Sequence, residues 1–252
     1  MRVVVCVKQI PDPASPYELD PDTHFVQRPT DQVLDDTDRF GVEMGLSIAE
    51  QTEGSVTLVS MGPAGNLQGI RQALAMGADK AVVVDDPALR GADALTTARI
   101  LSAAIGREGF DVVIAGTEST DGYSGVVPQQ VAEFLDVPAL SFAKKVELEG
   151  ETIRIERQTD YGYDIVEAPT PVVITVTAGV VEPRYPTFKG IMAAKTKTVD
   201  QVSAGDLGVE AAVGQEIISV RPAPERAAGE VIEDEGDAHQ RIIELLEQAK
   251  VI

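Results

Sequence analysis

The sequence predicts an α/β protein: a doubly wound, mostly parallel sheet with an antiparallel extension, followed by a C-terminal arm. Three observations carry that prediction. Short apolar runs rich in β-branched residues alternate with amphipathic stretches through residues 1–135. From about Leu140 the runs become shorter and more closely spaced, with a Gly-containing turn between two of them. Beyond residue 198 the pattern gives way to Gly and Pro punctuation, an acidic stretch and one last amphipathic segment.

Residues 3–7, 55–60, 81–85 and 112–115 are near-continuous apolar runs, as expected of strands buried on both faces of a parallel sheet. Between them, residues 37–51, 66–76, 92–106 and 126–135 carry apolar side chains at three- and four-residue spacing, which predicts a helix over each. In such a fold, ligands bind outside the carboxyl ends of the strands. Residues 142–148, 152–158, 164–167 and 172–176 read as further strands of the same sheet, with Glu149-Gly150-Glu151 as a hairpin turn. The first domain is therefore placed at 1–198. Residues 199–252 are expected to be an arm: 201–208 and the run Arg221-Pro222-Ala223-Pro224 as linker, 225–238 as an acidic Gly-rich stretch, and 240–250 as a short helix. That helix offers Ile242, Ile243, Leu245 and Leu246, with Val251 just beyond, and so small an apolar face needs another surface to lie on.

Composition narrows the function. The 252 residues are enough for a large core, and 44% hydrophobic with 25% charged residues describes a soluble globular protein. No apolar run approaches the roughly eighteen residues that would span a bilayer. The chain enters an apolar strand at once, without the features of a signal peptide, so a mature protein beginning here in the cytoplasm is expected. A single cysteine, Cys6, excludes an internal disulfide framework and reads as a small buried hydrophobe; His24 and His239 are too far apart for a zinc spacing. Against 21 basic residues stand 41 acidic ones, and the net charge of -20 argues against binding nucleic acid or an anionic membrane. No Ser/His/Asp, Cys/His or paired-carboxylate arrangement stands out, so no catalytic residue is assigned.

Two segments carry the remaining signal. In residues 182–195, Pro183 and Pro186 fix φ and remove donors, Gly190 permits a turn before a short helix opening at Ile191, and nothing local would bury Phe188. This is either a docking loop or an ordered crossover whose Tyr185, Phe188 and Met192 pack into the core. Arg184, Lys189, Lys195 and Lys197 form a basic excess that either steers an acidic partner or is ordinary surface. The second segment, residues 116–125, has three glycines and four hydroxyl side chains leading into a helix. It is either a phosphate cradle or a Gly/Ser/Thr turn capping that helix. Asp121 would repel phosphate, so it is expected to accept turn or cap hydrogen bonds. Lys8 reads as an exposed base at a strand end, and the strand edges at 7–12, 60–64 and 116–125 converge on one crevice.

The segments VKQIPD, SMGPA with ALAMGAD, GTESTDG and EPRYPTFKGIMAAK occur in the order and spacing of the β subunit of electron transfer flavoprotein. The resemblance covers residues 1–200, and the tail is similar to that of bacterial members. It implies an electron-carrier subunit, not an enzyme, in a heterodimer whose α subunit carries the redox-active FAD, while this chain holds AMP as a structural nucleotide. Electrons would arrive from acyl-CoA and related dehydrogenases of fatty acid β-oxidation and leave to a quinone oxidoreductase at the membrane, with no membrane insertion or nucleic-acid binding by this chain. Carried over by position, the AMP pocket would use Cys6, the turn from Asp35 to Asp38, Met61, Gly116, Thr120, Asp121, Gly122, Tyr123, Ser124, Gly125 and Val127. Partner binding would use Arg184, Tyr185, Ile191, Met192 and Phe188, the last as the hydrophobic anchor where leucine is frequent.

There are departures from the family pattern. Pro13 stands where some members place a tyrosine near the α-subunit flavin, and Gln158 where others have a glutamate. Bifurcating relatives hold a second FAD in place of AMP, with a hydroxyl-rich turn at its diphosphate. The matching residues 91–97 keep Thr97 but have Ala94 where a second threonine is expected, which favours AMP. A free ATP-binding regulator on a related sheet is a further alternative, but the glycine and Ser-Gly-Gly phosphate loops of such proteins are absent.

Overall fold

The computed structural model describes residues 1–221, 229, 231–234 and 236–252. Two compact units divide the chain, Met1–Ile217 and Ile218–Ile252. The first runs β1 (Arg2–Cys6), a short pair β2 (Gln9–Ile10) and β3 (Val33–Leu34), α1 (Asp36–Gln51), β4 (Ser55–Met61), α2 (Gln68–Met76), β5 (Lys80–Val84), α3 (Ala94–Glu108), β6 (Val112–Gly116) and α4 (Val127–Leu135). It continues with β7 (Ala139–Glu149), β8 (Thr152–Thr159), β9 (Gly162–Pro169), β10 (Val172–Val176), α5 (Phe188–Ala194) and β11 (Val199–Val202).

Nine of these strands form one sheet in the order β11-β5-β4-β1-β6-β10-β7-β8-β9. All neighbours from β11 to β7 pair in parallel, and β7, β8 and β9 pair antiparallel. The expected α/β class with a parallel sheet and antiparallel extension is what forms. Side-chain alternation explains the continuous apolar runs: Val3 and Val5 face one core with Val42, Leu46 and Leu74, while Val4 faces the other with Ile100, Ile105 and Val131. Fully burying each such aliphatic side chain is worth about 1.5–3 kcal/mol, so both helical layers are held to the sheet. In the extension, one face is covered through Ile153 and Ile155, whereas Tyr163 and Ile165 of β9 are exposed.

Three features differ from the sequence reading. The strand β10 inserts between β6 and β7, so the chain returns to the middle of the sheet after making its antiparallel edge. At the opposite edge β11 pairs with β5, and the first unit continues to Ile217, so the break expected at 198 falls inside it. The helix α5 begins at Phe188, capped by Thr187 through the Gly190 N–H, so Gly190 lies within the helix and does not make a turn ahead of it. Its lack of a side chain serves packing: a Cβ there would sit 2.5 Å from the Ala75 carbonyl oxygen of α2.

The second unit contains α6 (Ala238–Gln248), on which Ile242, Ile243 and Leu246 are exposed. Pro222 and Pro224, and residues 225–228, 230 and 235 of the acidic stretch, lie outside the described residues.

Candidate functional site

The carboxyl ends of β1, β4 and β6 meet where successive connections leave the sheet in opposite directions, the position at which doubly wound folds bind ligands. Beyond β1, the Lys8 N–H donates to Asp38 Oδ2 at 2.6 Å, and its carbonyl accepts from the Asp35 N–H at 3.0 Å. This anchors the start of α1 against the end of β1. Asp35 is the N-cap of α1: its Oδ1 accepts from the Thr37 N–H at 3.1 Å and hydroxyl at 2.9 Å. Its Oδ2 accepts from the Thr120 N–H at 2.7 Å and hydroxyl at 3.0 Å, tying the loop after β6 to the same helix start. Gly116 sits close under these side chains: a Cβ there would lie 3.3 Å from both Asp38 Oδ1 and Thr37 Oγ1, so those groups would have to give way by a few tenths of an ångström.

Asp121 is paired quite differently from the expected turn cap. Its side chain is fully buried and bridges Lys8, 2.6 Å from the ammonium, and Arg28. Burial opposes its charge, but Lys8 first and then Arg28 outweigh that and hold the carboxyl below its usual range. Lys8 is accordingly a half-buried ion-pair partner and not a free surface base. Asp38 goes the other way: burial and then the neighbouring Asp35 raise it well above the ordinary value. Protein atoms crowd the Cys6 thiol although the residue is only partly covered, and that desolvation, ahead of the Asp38 charge, pushes it up to about 12. Cys6 packs against the second core cluster, and its raised value keeps the thiol protonated.

Cys6, Asp35, Asp38, Gly116, Thr120 and Asp121 are thus brought together. Gly122, Tyr123 and Ser124 form the exposed tip of the loop, with Tyr123 in the left-handed region at φ 47°, while Gly125 and Val127 lead into α4. Met61, at the end of β4, opens on a neighbouring cavity of about 650 Å³ whose walls also include Lys8, Phe25, Arg28, Arg90 and Thr97. The sequence reading missed Phe25, Arg28 and Arg90. The available signal was the stretch of more than twenty residues between β2 and β3, longer than any other connection up to β10 and carrying an aromatic and a base. Phe25 lies over Gly91, where a Cβ would be 2.3 Å from its ring, and the Arg90 guanidinium sits 5.7 Å from the ring centroid.

The segment 182–195 is built on two helices. Arg184 makes a two-pronged pair with Glu43 of α1, Nε to Oε2 at 2.7 Å and Nη2 to Oε1 at 2.8 Å, and a further pair with Glu50. Lys197 donates to the carbonyls of Leu74, Gly77 and Ala78 at the end of α2. Two of the four bases are therefore structural, which reduces the basic excess to Lys189 and Lys195. Tyr185 is 86% and Phe188 81% exposed, and Ile191 and Met192 are also exposed, so the crossover reading that buries these side chains does not hold.

The electron transfer flavoprotein domain matches residues 23–207. The electron transfer flavoprotein subunit beta of Mycobacterium bovis is 42% identical over 264 residues, covering 100% of this chain and 99% of the relative. This chain belongs to the electron transfer flavoprotein β-subunit family. The subunit beta of Thermoanaerobacterium thermosaccharolyticum is 35% identical over the full length of both, and that of Bos taurus is 35% identical over 97% of this chain and 98% of its own. The chain is a member of a family of electron carriers, and among the described residues no helix is long and apolar enough to cross a membrane. At the positions where it departs from the electron transfer flavoprotein pattern, Pro13 and Gln158 are exposed. Ala94 is the first residue of α3, whose cap Asp93 accepts from the Thr96 N–H at 2.7 Å and the Gly214 N–H at 2.9 Å.

Proposed function

We propose that this chain is the β subunit of a heterodimeric electron transfer flavoprotein, holding AMP structurally while FAD on the α subunit carries the electrons. The observation that carries the reading is the rigidly held 185–192 segment, which turns Tyr185, Phe188, Ile191 and Met192 to solvent while the nucleotide-type crevice lies at the strand ends. Exposed aromatic and methionine side chains on an ordered support are the composition of a hot spot, and Phe188 is its anchor for acyl-CoA and related dehydrogenases. The same anchoring lets the flavin approach a quinone oxidoreductase from the cytoplasmic side without membrane insertion by this chain. The antiparallel edge, with Tyr161, Tyr163 and Ile165 exposed, and the arm with α6 supply apolar surface for the α subunit.

A mononucleotide would place its phosphate at the start of α4: within 116–125 the Thr120 N–H and hydroxyl and the Gly122 and Tyr123 N–H groups are already committed inside the protein, so the donors that fit it are those of Ser124 and Gly125. At α3, by contrast, the Asp93 carboxylate already takes the Thr96 and Gly214 N–H groups, and the Thr96 hydroxyl is given to the Ala212 carbonyl. A diphosphate there would meet a negative charge and spent donors. One observation favours the bifurcating alternative, since the cavity beside Met61 reaches Gly91, Ala92 and Thr97. Flavin and nucleotide counts on the purified heterodimer decide: one FAD and one AMP per complex is expected, and two FAD with no AMP would overturn the AMP reading.

A further inference from the structure

We propose that Glu43 is the positioning residue of the docking segment, setting the exposed side chains of 185–192 from within α1; this rests on the reading of that segment as the partner-binding loop. Glu43 lies in the interior of α1, and only 8% of its side chain is exposed, an unusual place for a carboxylate that takes no part in the nucleotide crevice. Its charge is fully committed to one residue. Besides the two-pronged contact with the guanidinium, Oε2 accepts the backbone N–H of Arg184 at 3.0 Å. Side chain and main chain of Arg184 are therefore fixed by one buried group, which defines where the chain enters Tyr185. Glu50, two turns along α1 and mostly exposed, takes the remaining side of the guanidinium at 2.6 Å. Hydrogen bonds to Glu43, then to Glu50, push Arg184 further above its already high range.

The far end of the segment is held independently. Arg71 of α2 donates to the carbonyls of Ala194 and Lys197 at 2.7 and 2.6 Å, and Gly190 touches the Ala75 carbonyl region. Between these anchors stand Tyr185 and Phe188, whose exposed rings gain nothing from the core, so their direction is set by the backbone beneath them. A docking anchor held this way loses little freedom on binding, and that preorganisation is what the buried carboxylate supplies. A planar guanidinium met by a planar carboxylate fixes orientation as well as distance, which a lysine could not do.

The test is Glu43→Gln in the heterodimer, with Glu43→Asp as a second variant that keeps the charge but shortens the reach by one methylene. Native-state trypsin digestion resolved by mass should show cleavage after Lys189 and Lys195 accelerated about tenfold, the scale expected when a charged hydrogen bond holding a segment is lost, while cleavage elsewhere stays at the wild-type rate. With an acyl-CoA dehydrogenase that reduces the wild-type complex, KM for the complex should rise with kcat nearly unchanged. Unchanged loop cleavage in both variants overturns the proposal, as does acceleration spread evenly over all sites. Phe188→Ala separates the two readings: if it leaves KM alone, the docking reading falls, while the cleavage pattern still decides whether Glu43 holds the segment.

Discussion

Thr120 donates both its backbone N–H, at 2.7 Å, and its hydroxyl, at 3.0 Å, to a single oxygen of the fully buried Asp35. The other oxygen caps α1. One carboxylate thus joins the loop after β6 to the helix after β1, and Asp35→Ala should release both. Loss of charge-assisted hydrogen bonds together with a cap is expected to cost about 2–4 kcal/mol. Urea unfolding should record the lower midpoint, and, on the proposed reading of the crevice, AMP recovered per complex after gel filtration should fall well below that of the wild type.

Asp38 gives a pH dependence of definite sign. Its carboxyl is raised by burial and then by Asp35, so the folded value lies above the roughly 3.9 of the unfolded chain. The stabilising contribution of such a group is complete below the unfolded value and is lost as pH rises through the folded one. Asp38→Asn, neutral throughout and still able to accept from Lys8, should therefore gain on the wild type as pH rises from about 4. Urea midpoints at mildly acidic and neutral pH, compared between the two proteins, check the trend.

Asp121 is poised in the opposite sense. Its folded value is depressed, because Lys8 and Arg28 outweigh the cost of burial. Its contribution is present above the unfolded value, about 3.9, and is lost as pH falls through the folded one. Asp121→Asn should cost about 1–3 kcal/mol at neutral pH by leaving two half-buried cations without their partner. The deficit should shrink toward the acid limb, which acid titration followed by circular dichroism would record.

Phe188→Ala removes a side chain that is 81% exposed, so the thermal midpoint should barely move. With Phe188 as the proposed docking anchor, truncating it should cost about 2 kcal/mol or more of binding, on the order of a thirtyfold rise in KM for the donor dehydrogenase. Steady-state reduction of the purified heterodimer is the measurement.

Gly190→Ala tests the seating of α5. The new Cβ would sit 2.5 Å from the Ala75 carbonyl oxygen, and backbone cannot yield as a flexible side chain can. Overpacking of this kind costs about 1–3 kcal/mol, or moves the helix off α2. Faster hydrogen exchange confined to α5 and the end of α2 is the expected outcome.

Much of the fold was legible because its signals are local. The run Val3-Val4-Val5 must bury side chains on both sides, and that announces a central parallel strand before any partner is known. β11 was not legible: Val199-Asp200-Gln201-Val202 has too few apolar residues to stand out, and it is a strand because β5 offers an unpaired edge. Gly190 was read as a turn because glycine breaks helices in isolation, whereas here the approach to Ala75 decides its place.

The order of strands and helices, the acidic surface and the segments at 116–125 and 182–195 follow from residue type and spacing, which act over a few positions of chain. The pairing of charges does not. Asp121 meets Arg28 across 93 positions and Arg184 meets Glu43 across 141, and nothing in either neighbourhood names the partner. Whether a carboxylate repels a phosphate, caps a turn or neutralises a buried cation depends on distances of a few ångströms, and those exist only once the sheet has brought the strand ends together.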